Sequence, residues 1–317
     1  MPYSRNMKNI FVLGGTGFVG SYVCEQLVRA GWQVTVPTRR RVNAQAIQHL
    51  PGLTVLELDV YDEAALTHAM EGHGAVVNLV AILHGDPAAF AKAHVQLTEK
   101  VARACLTNGV SQLVHVSALG ADPARMTTAP SYYLRSKSAA EAVLAQVASA
   151  SPALRVSVLR PSVIFGVGDQ FMNIFAKLQA IFPFIPLAGA DARFQPVWVS
   201  DVAQAIVRVL ALPPGGSVHT WELVGPEVMR LRDLVQMAGA LSGAGAGKGR
   251  PIFGLPMWVA RIQAFFMELA PGAPLMSRDN LDSMRVDNIA STGMPGLAQL
   301  GITAAAIEPV ARSYLSR

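Results

Sequence analysis

Residues 12–23 read VLGGTGFVGSYV, in which Gly14, Gly17 and Gly20 are spaced three apart and Gly15 adds a fourth glycine. A glycine triplet alone is compatible with nothing more than a flexible turn, so the flanks decide. The run before it, NIFVLG (9–14), is short and apolar and suits a buried parallel strand. After it, Val19, Val23, Leu27 and Val28 recur at helical spacing, and Gly31 stands where a helix would end. WQVTVPT (32–38) then reads as a second strand. Strand, glycine turn, helix and strand within about thirty residues are the setting of a dinucleotide site. There the glycines allow a tight turn, backbone N–H groups approach a pyrophosphate, and the helix N-terminus adds a positive dipole.

The alternation continues. Strand-like runs at 53–60, 75–83, 112–119 and 155–166 are separated by helical stretches at 62–70, 89–109 and 131–149. This pattern predicts an α/β protein with a doubly wound parallel sheet. A Rossmann domain is expected over 1–165, with 196–224 returning to it through the strand-and-helix run VWVSDVAQAIVRVLAL (197–212). A smaller lobe is expected over 166–317 for substrate or partner, beside the edge where such sheets bind ligands.

A chain of 317 residues, 51% hydrophobic, can bury a sizeable core, and 15% charged residues argue against disorder. Cys24 and Cys105 fall in predicted helices and read as buried free thiols. The seven histidines lack ligand-like spacing, so no metal is expected. The opening MPYSRNMK is too short and polar for a signal peptide. The longest apolar stretch, 171–190, is broken by Asn173, Lys177, Pro183 and Pro186, short of the roughly 18 residues of a membrane span. A cytoplasmic protein is expected. The net charge of +5 is carried by dispersed arginines, so no nucleic acid is expected as a partner. GAGAGKGR (243–250) resembles a phosphate loop, but Ser242 and Gly249 break the pattern and a helix precedes it; it reads as a surface loop.

The second strand ends in Thr38, Arg39 and Arg40, with no acid where a free ribose 2′-hydroxyl is usually met. Arginine there favours NADP(H) over NAD(H); a solvated basic turn is the plain alternative. In YLRSK, Tyr133 and Lys137 stand four apart on one helix face, where an ammonium is expected to stabilise a phenolate and bring it toward a useful acid–base range. Tyr132 points elsewhere. Ser117 is the only hydroxyl in HVSALGA (115–121).

The GxxGxxG spacing and a YxxxK pair placed after the HVSAL strand resemble the short-chain dehydrogenase/reductases, particularly their extended and atypical branches. The resemblance implies that Tyr133 exchanges the proton and that Lys137 also holds the nicotinamide ribose. It implies a cofactor cradle of Gly14, Gly15, Thr16, Gly17, Phe18, Val19, Gly20, Thr38, Arg39 and Arg40, continued by Asp59, Val60, Val80, Ala81 and Pro161. Asp59, ending the third strand, would bond adenine, or else serve as an ordinary strand-end cap. Ser117 would be the third catalytic member, touch the nicotinamide, or cap the strand, because Ala118 and Leu119 stand where many relatives have a later serine.

Further stretches (YLRSK, LRPSVIFGVGDQFMNIFA, PVWVSDVA and VDNIASTGMPGLAQLGI) resemble the nucleotide-binding accessory subunit of respiratory complex I and its free-standing bacterial relatives over nearly the whole chain. This implies an NADP(H)-binding, oxidoreductase-type protein serving quinone or respiratory metabolism. An NADPH-dependent reductase, a nucleotide-sugar epimerase or dehydratase, and a non-catalytic NADP(H)-sensing regulator are the alternatives. The expected partners are the dinucleotide, a quinone or lipid at the C-terminal lobe, and a peripheral membrane or respiratory-complex contact on the inner face of a bacterial membrane. GLPMWVARIQAFFMELAPGAPLM (254–276) sets Trp258, Ile262, Phe265, Phe266 and Leu269 on helical spacing. Core packing is the default for such a helix, and an interfacial position is the alternative.

Overall fold

Alternate residues of one strand show how the layers are assembled. In a computed structural model, which describes residues 8–213, 218–269 and 274–316, strand β1 (Lys8–Leu13) sends Ile10 and Val12 to one core and Phe11 and Leu13 to another. The opening segment 1–7 and residues 270–273 of the 254–276 stretch lie outside the described residues. β1 is joined by β2 (Trp32–Thr38), β3 (Leu53–Glu57), β4 (Ala75–Asn78), β5 (Gln112–Val116), β6 (Arg155–Pro161) and β7 (Val218–Leu223). The order is β7-β6-β5-β4-β1-β2-β3, and every neighbour is parallel. The strand order reverses between β1 and β4, the point where open α/β sheets leave a crevice at the carboxyl edge.

Helix α1 (Phe18–Arg29) covers one face of the sheet. It packs Val23 and Leu27 with Val202 and Ile206 of a later helix (Val199–Leu210) against Ile10, Val12, Val34 and Val36. The other face carries α2 (Glu63–Ala69), α3 (Leu97–Thr107) and α4 (Tyr132–Ala150), with Leu66, Leu97, Val101 and Leu144 against Phe11, Leu13, Val76, Val156 and Val158. Cys24 and Cys105 are buried and unbridged in these two layers.

Four strands are shorter than their apolar runs suggest, β5 among them, which ends at Val116 within its 112–119 run. β3 stops at Glu57, so Asp59 lies in the following turn, where its carboxylate accepts the Tyr61 N–H at 3.0 Å. β4 stops at Asn78, whose Oδ1 accepts the Val80 N–H at 3.1 Å, and the chain turns away from the sheet. The 155–166 run divides: β6 ends at Pro161, and Ile164–Phe165 pairs instead with Val197–Trp198.

The remaining chain builds α5 (Met172–Ile181), α6 (the Val199–Leu210 helix already placed on α1), α7 (Leu231–Leu241), α8 (Met257–Glu268), α9 (Arg278–Ser283) and α10 (Ile307–Leu315). Two-stranded pairings of Ile185–Ala188 with Ile252–Leu255 and of Arg193–Phe194 with Met229–Arg230 tie these helices together. Their core gathers Phe165, Met172, Leu234, Ile307 and Leu315. Among the described residues, no helix is long and apolar enough to cross a membrane.

Candidate dinucleotide and active site

The glycine turn packs so closely that side chains are excluded. Gly14 has φ +79°, and a Cβ there would lie 3.1 Å from the Leu79 carbonyl carbon, on the turn after β4. At Gly15 it would press on Val36, and at Gly20 it would come 2.2 Å from the Gly14 carbonyl oxygen. The Gly17 N–H bonds back to that oxygen at 3.0 Å. Gly17 is also the N-cap of α1, which has no side-chain cap and no acid in its first turn. The first N–H groups of a helix have no partner within it. Those of Phe18, Val19 and Gly20 therefore form, beside Thr16, an uncapped cradle for an anion.

The other expected cradle residues lie along the same carboxyl edge. Thr38 closes β2, buried, with its hydroxyl donating to the Arg40 carbonyl at 3.1 Å. That bond fixes the loop and leaves Arg39 and Arg40 exposed, and neither enters an ion pair among the described residues. Burial raises the Tyr61 phenol pKa; Arg39 opposes the rise and Asp59 adds to it. Val60, Val80 and Ala81 follow β3 and β4, and Pro161 ends β6 with its carbonyl accepting the Leu119 N–H at 2.9 Å.

Ser117 follows β5. Its N–H donates to Leu159 at 2.7 Å, while its hydroxyl is buried with no partner among the described residues. A buried hydroxyl without a partner is costly, so Ser117 keeps an open hydrogen-bonding capacity here. Lys137, 1% exposed, reaches the same spot: its Nζ donates to the Val116 carbonyl at 3.0 Å. Tyr133 stands one turn before it on α4, half-buried.

The proton chemistry of this pair differs from the sequence expectation. Burial lowers Lys137 to about 8, with Glu141 opposing, and burial raises Tyr133 to about 12. The ammonium does not pull the phenol toward neutrality, because its bond goes to Val116 and desolvation of the ring dominates.

Sequence reasoning missed the groups that hold Tyr133. Ahead of α3 the chain is π-helical over Ala91–Gln96, a local widening that recurs at functional sites. This stretch sets His94 edge-on to the Tyr133 ring, at a centroid distance of 5.6 Å. The Ile82 N–H donates to His94 Nε2 at 3.1 Å, so Nδ1 carries the proton toward Ser136 Oγ at 2.8 Å. Ser136 in turn donates to the Tyr133 carbonyl at 2.8 Å. Burial, then the charge of Lys137, lower His94 to about 2, so the ring stays neutral as this network requires. His115 is likewise held neutral, lowered to about 3 by burial and Lys137.

The C-terminal lobe supplies a second anchor. The Asp279 carboxylate accepts the Tyr132 and Tyr133 N–H groups at 2.6 and 3.1 Å, capping α4 across 146 residues of chain. Burial raises the Asp279 pKa, and those two backbone bonds oppose the rise. Ser131, the N-cap of α4, bonds Ser283 at 2.8 Å. Between this contact and the turn after β4 lies a cleft of about 940 Å³, lined by Ile82, His84, Tyr132, Arg261, Glu268 and Arg278 among others. It opens beside Tyr132 and does not include the glycine turn. Asn288, in the quoted VDN stretch, ties the chain to the end of β6 by accepting from Ser162 Oγ and the Val163 N–H.

The uncapped helix, the glycine-only approach and the open Ser117 hydroxyl fit a nicotinamide dinucleotide. The family model described as NAD dependent epimerase/dehydratase family matches residues 10–222. The chain belongs to that family. Within this epimerase/dehydratase family and its relatives, the chain is 30% identical over 307 residues to the mouse mitochondrial NADH dehydrogenase [ubiquinone] 1 alpha subcomplex subunit 9, covering 94% of this chain and 77% of the mouse protein. It is 32% identical over 262 residues to 2-alkyl-3-oxoalkanoate reductase of Stenotrophomonas maltophilia, covering 74% and 76%. The fold matches the Thermus thermophilus UDP-glucose 4-epimerase, solved in complex with NAD, at a TM-score of 0.69 with 19% identity over 97% of both chains.

Proposed function

We propose that this protein binds NADP(H) and acts as an oxidoreductase on a carbonyl compound of quinone or respiratory metabolism, working in the cytoplasm and at the inner face of a bacterial membrane. The observation that carries the reading is the buried, unpartnered Ser117 hydroxyl next to Val116, whose carbonyl accepts from Lys137, with Tyr133 one turn before Lys137 on α4. The turn's N–H groups would hold the pyrophosphate, and Arg39 and Arg40 the ribose 2′-phosphate. When bound, the nicotinamide supplies or accepts the hydride. Ser117 would orient the reacting oxygen by a hydrogen bond, Tyr133 would give or take its proton, and Lys137 would bond the ribose. His94 and Asp279 act on Tyr133 through its backbone and ring and are positioning residues. The respiratory link is supported by likeness to the mouse complex I subunit, and turnover by likeness to the bacterial reductase.

A second reading rests on a specific feature: Ala118 and Leu119 follow Ser117 with no further hydroxyl, and Tyr133 is raised to about 12. Both suit a protein that holds the dinucleotide without turning it over, as an accessory or sensing partner. Calorimetric titration tests the cofactor assignment. NADPH should bind roughly 10- to 100-fold more tightly than NADH, the worth of one charge-assisted contact, and Arg39→Ala with Arg40→Ala should erase the difference. Equal affinities in the intact protein refute it. Tyr133→Phe separates the two readings: loss of turnover with unchanged NADPH affinity is expected of the oxidoreductase.

A further inference from the structure

Helix α8 is inside out. Its buried positions are Ala260 and Ala264, packed with Ala188 and Leu281. Its large apolar side chains face away: Trp258 and Phe266 are 69% and 66% exposed, and Ile262, Phe265 and Leu269 accompany them. The patch continues onto neighbouring chain. Phe253, on the strand paired beside Ile185–Ala188 and leading into α8, stacks edge-on with Phe184 at 5.8 Å, and both are exposed, as are Phe182 and Ile181 at the end of α5. An apolar surface of this kind, rich in aromatic rings, is rarely left bare.

Basic residues outnumber acidic ones around it. The stretches 171–190 and 243–267 contain Lys177, Lys248, Arg250 and Arg261 and no Asp or Glu. Lys177 and Lys248 are exposed and enter no ion pair among the described residues. The nearest acids are neutralised, Asp282 by Arg261 at 3.0 Å and Glu268 by Arg278 at 2.8 Å.

We propose that the outward face of α8, with Phe182, Phe184 and Phe253, is a docking surface for an anionic phospholipid bilayer. The aromatic rings sit at headgroup depth, where Trp is favoured, and Lys177 and Lys248 meet lipid phosphates. Docking also has a consequence for the cleft. Arg261 and Glu268 line it and border the apolar stripe on α8, and Arg278 lies over the Phe265 ring at 5.3 Å. A bilayer under the stripe therefore lies beside the cleft mouth, so a lipid-soluble carbonyl compound enters toward α4 from the headgroup layer. This consequence rests on the oxidoreductase reading; the docking surface does not.

The test is flotation of the full chain with vesicles of mixed phosphatidylcholine and phosphatidylglycerol, against phosphatidylcholine alone. The intact protein should float with the anionic vesicles and release as salt rises. Trp258→Glu with Phe266→Glu should lower the partition coefficient by at least about tenfold, with unchanged NADPH titration and thermal melt. Lys177→Gln and Lys248→Gln should each lower it about fivefold; these exposed positions carry the test if the double variant fails to fold. Three results overturn the proposal: an intact protein that ignores anionic vesicles at low salt, variants that float as well as the parent, or a dimer in sedimentation equilibrium that Trp258→Glu dissociates. Loss of floating with NADPH binding intact refutes the docking alone, whereas floating without NADPH binding refutes only the functional reading.

Discussion

Helices α1 and α8 are both twelve residues long, and they solve opposite problems. α1 puts Val23, Cys24 and Leu27 into the sheet core and brings Gly20 onto the backbone of the glycine turn. α8 turns its alanines inward and its aromatic residues outward. The first helix is positioned by its large side chains and leaves its N-terminus uncapped; the second is positioned by its small ones and gives its flank to the outside. Function on α1 is therefore tied to folding, and on α8 it is separable from it.

The largest effect should come from Gly20→Val. Its Cβ would sit 2.2 Å from the Gly14 oxygen, a backbone atom that cannot rotate away. A loss of about 2–4 kcal/mol in a denaturant melt is expected, with NADPH binding abolished. A stable, binding Gly20→Val would break the claim that this turn is held by close approach.

Lys137→Met should act in the opposite direction. The ammonium is buried and its pKa is lowered from 10.5 to about 8, so between those values the unfolded chain binds more protons than the folded one. Below pH 8 the buried charge costs the fold roughly 3 kcal/mol, reduced by its bond to Val116 and relieved as pH rises from 8 toward 10.5. The variant should melt higher than the parent at pH 7 by about 1–3 kcal/mol, lose that advantage near pH 10, and bind dinucleotide less well. A stabilising loss of a ligand-binding group is what a functional site predicts.

These residues also show what a sequence reveals. The glycines were legible because a forbidden Cβ leaves only one residue type, and Tyr133 with Lys137 because helical spacing puts them on one face. β4 was overread because Val80, Ala81 and Ile82 continue its apolar run, although the Asn78 side chain turns the backbone there and Ile82 spends its N–H on His94. His94 and Asp279 were invisible for a related reason. Each is defined by N–H groups that other elements bring to it, 12 residues away for His94 and 146 or more for Asp279. On α8 the amphipathic spacing was legible, but the ordinary assumption that the large side chains face the core was wrong. Ala260 and Ala264, not the aromatic residues, pack against Ala188 and Leu281.

Asp279→Ala tests how far the lobe steadies α4. Two backbone N–H groups would lose a half-buried carboxylate acceptor, at a cost of about 1–2 kcal/mol, the range of helix N-caps. Asp279→Asn, which keeps an acceptor, should recover part of this. If Asp279→Ala melts like the parent, the lobe rests on α4 without holding it.

The smallest effect is expected at the largest exposed side chains. Phe266→Ser removes an aromatic ring, a change that costs about 3–5 kcal/mol in a core. At 66% exposure it should move stability by no more than about 0.5 kcal/mol. Ala264→Leu, two residues earlier on the same helix, adds carbon atoms where none is exposed, and overpacking there should cost about 1–3 kcal/mol. The pair inverts the usual order, in which losing a phenyl ring is severe and enlarging an alanine is mild, and paired denaturant melts read it directly. If Phe266→Ser is the more damaging of the two, that ring is packed inside the protein and the contrast between α1 and α8 collapses. If Ala264→Leu is, the outward face of α8 is free to be changed, charged or covered without loss of the fold that carries the dinucleotide site.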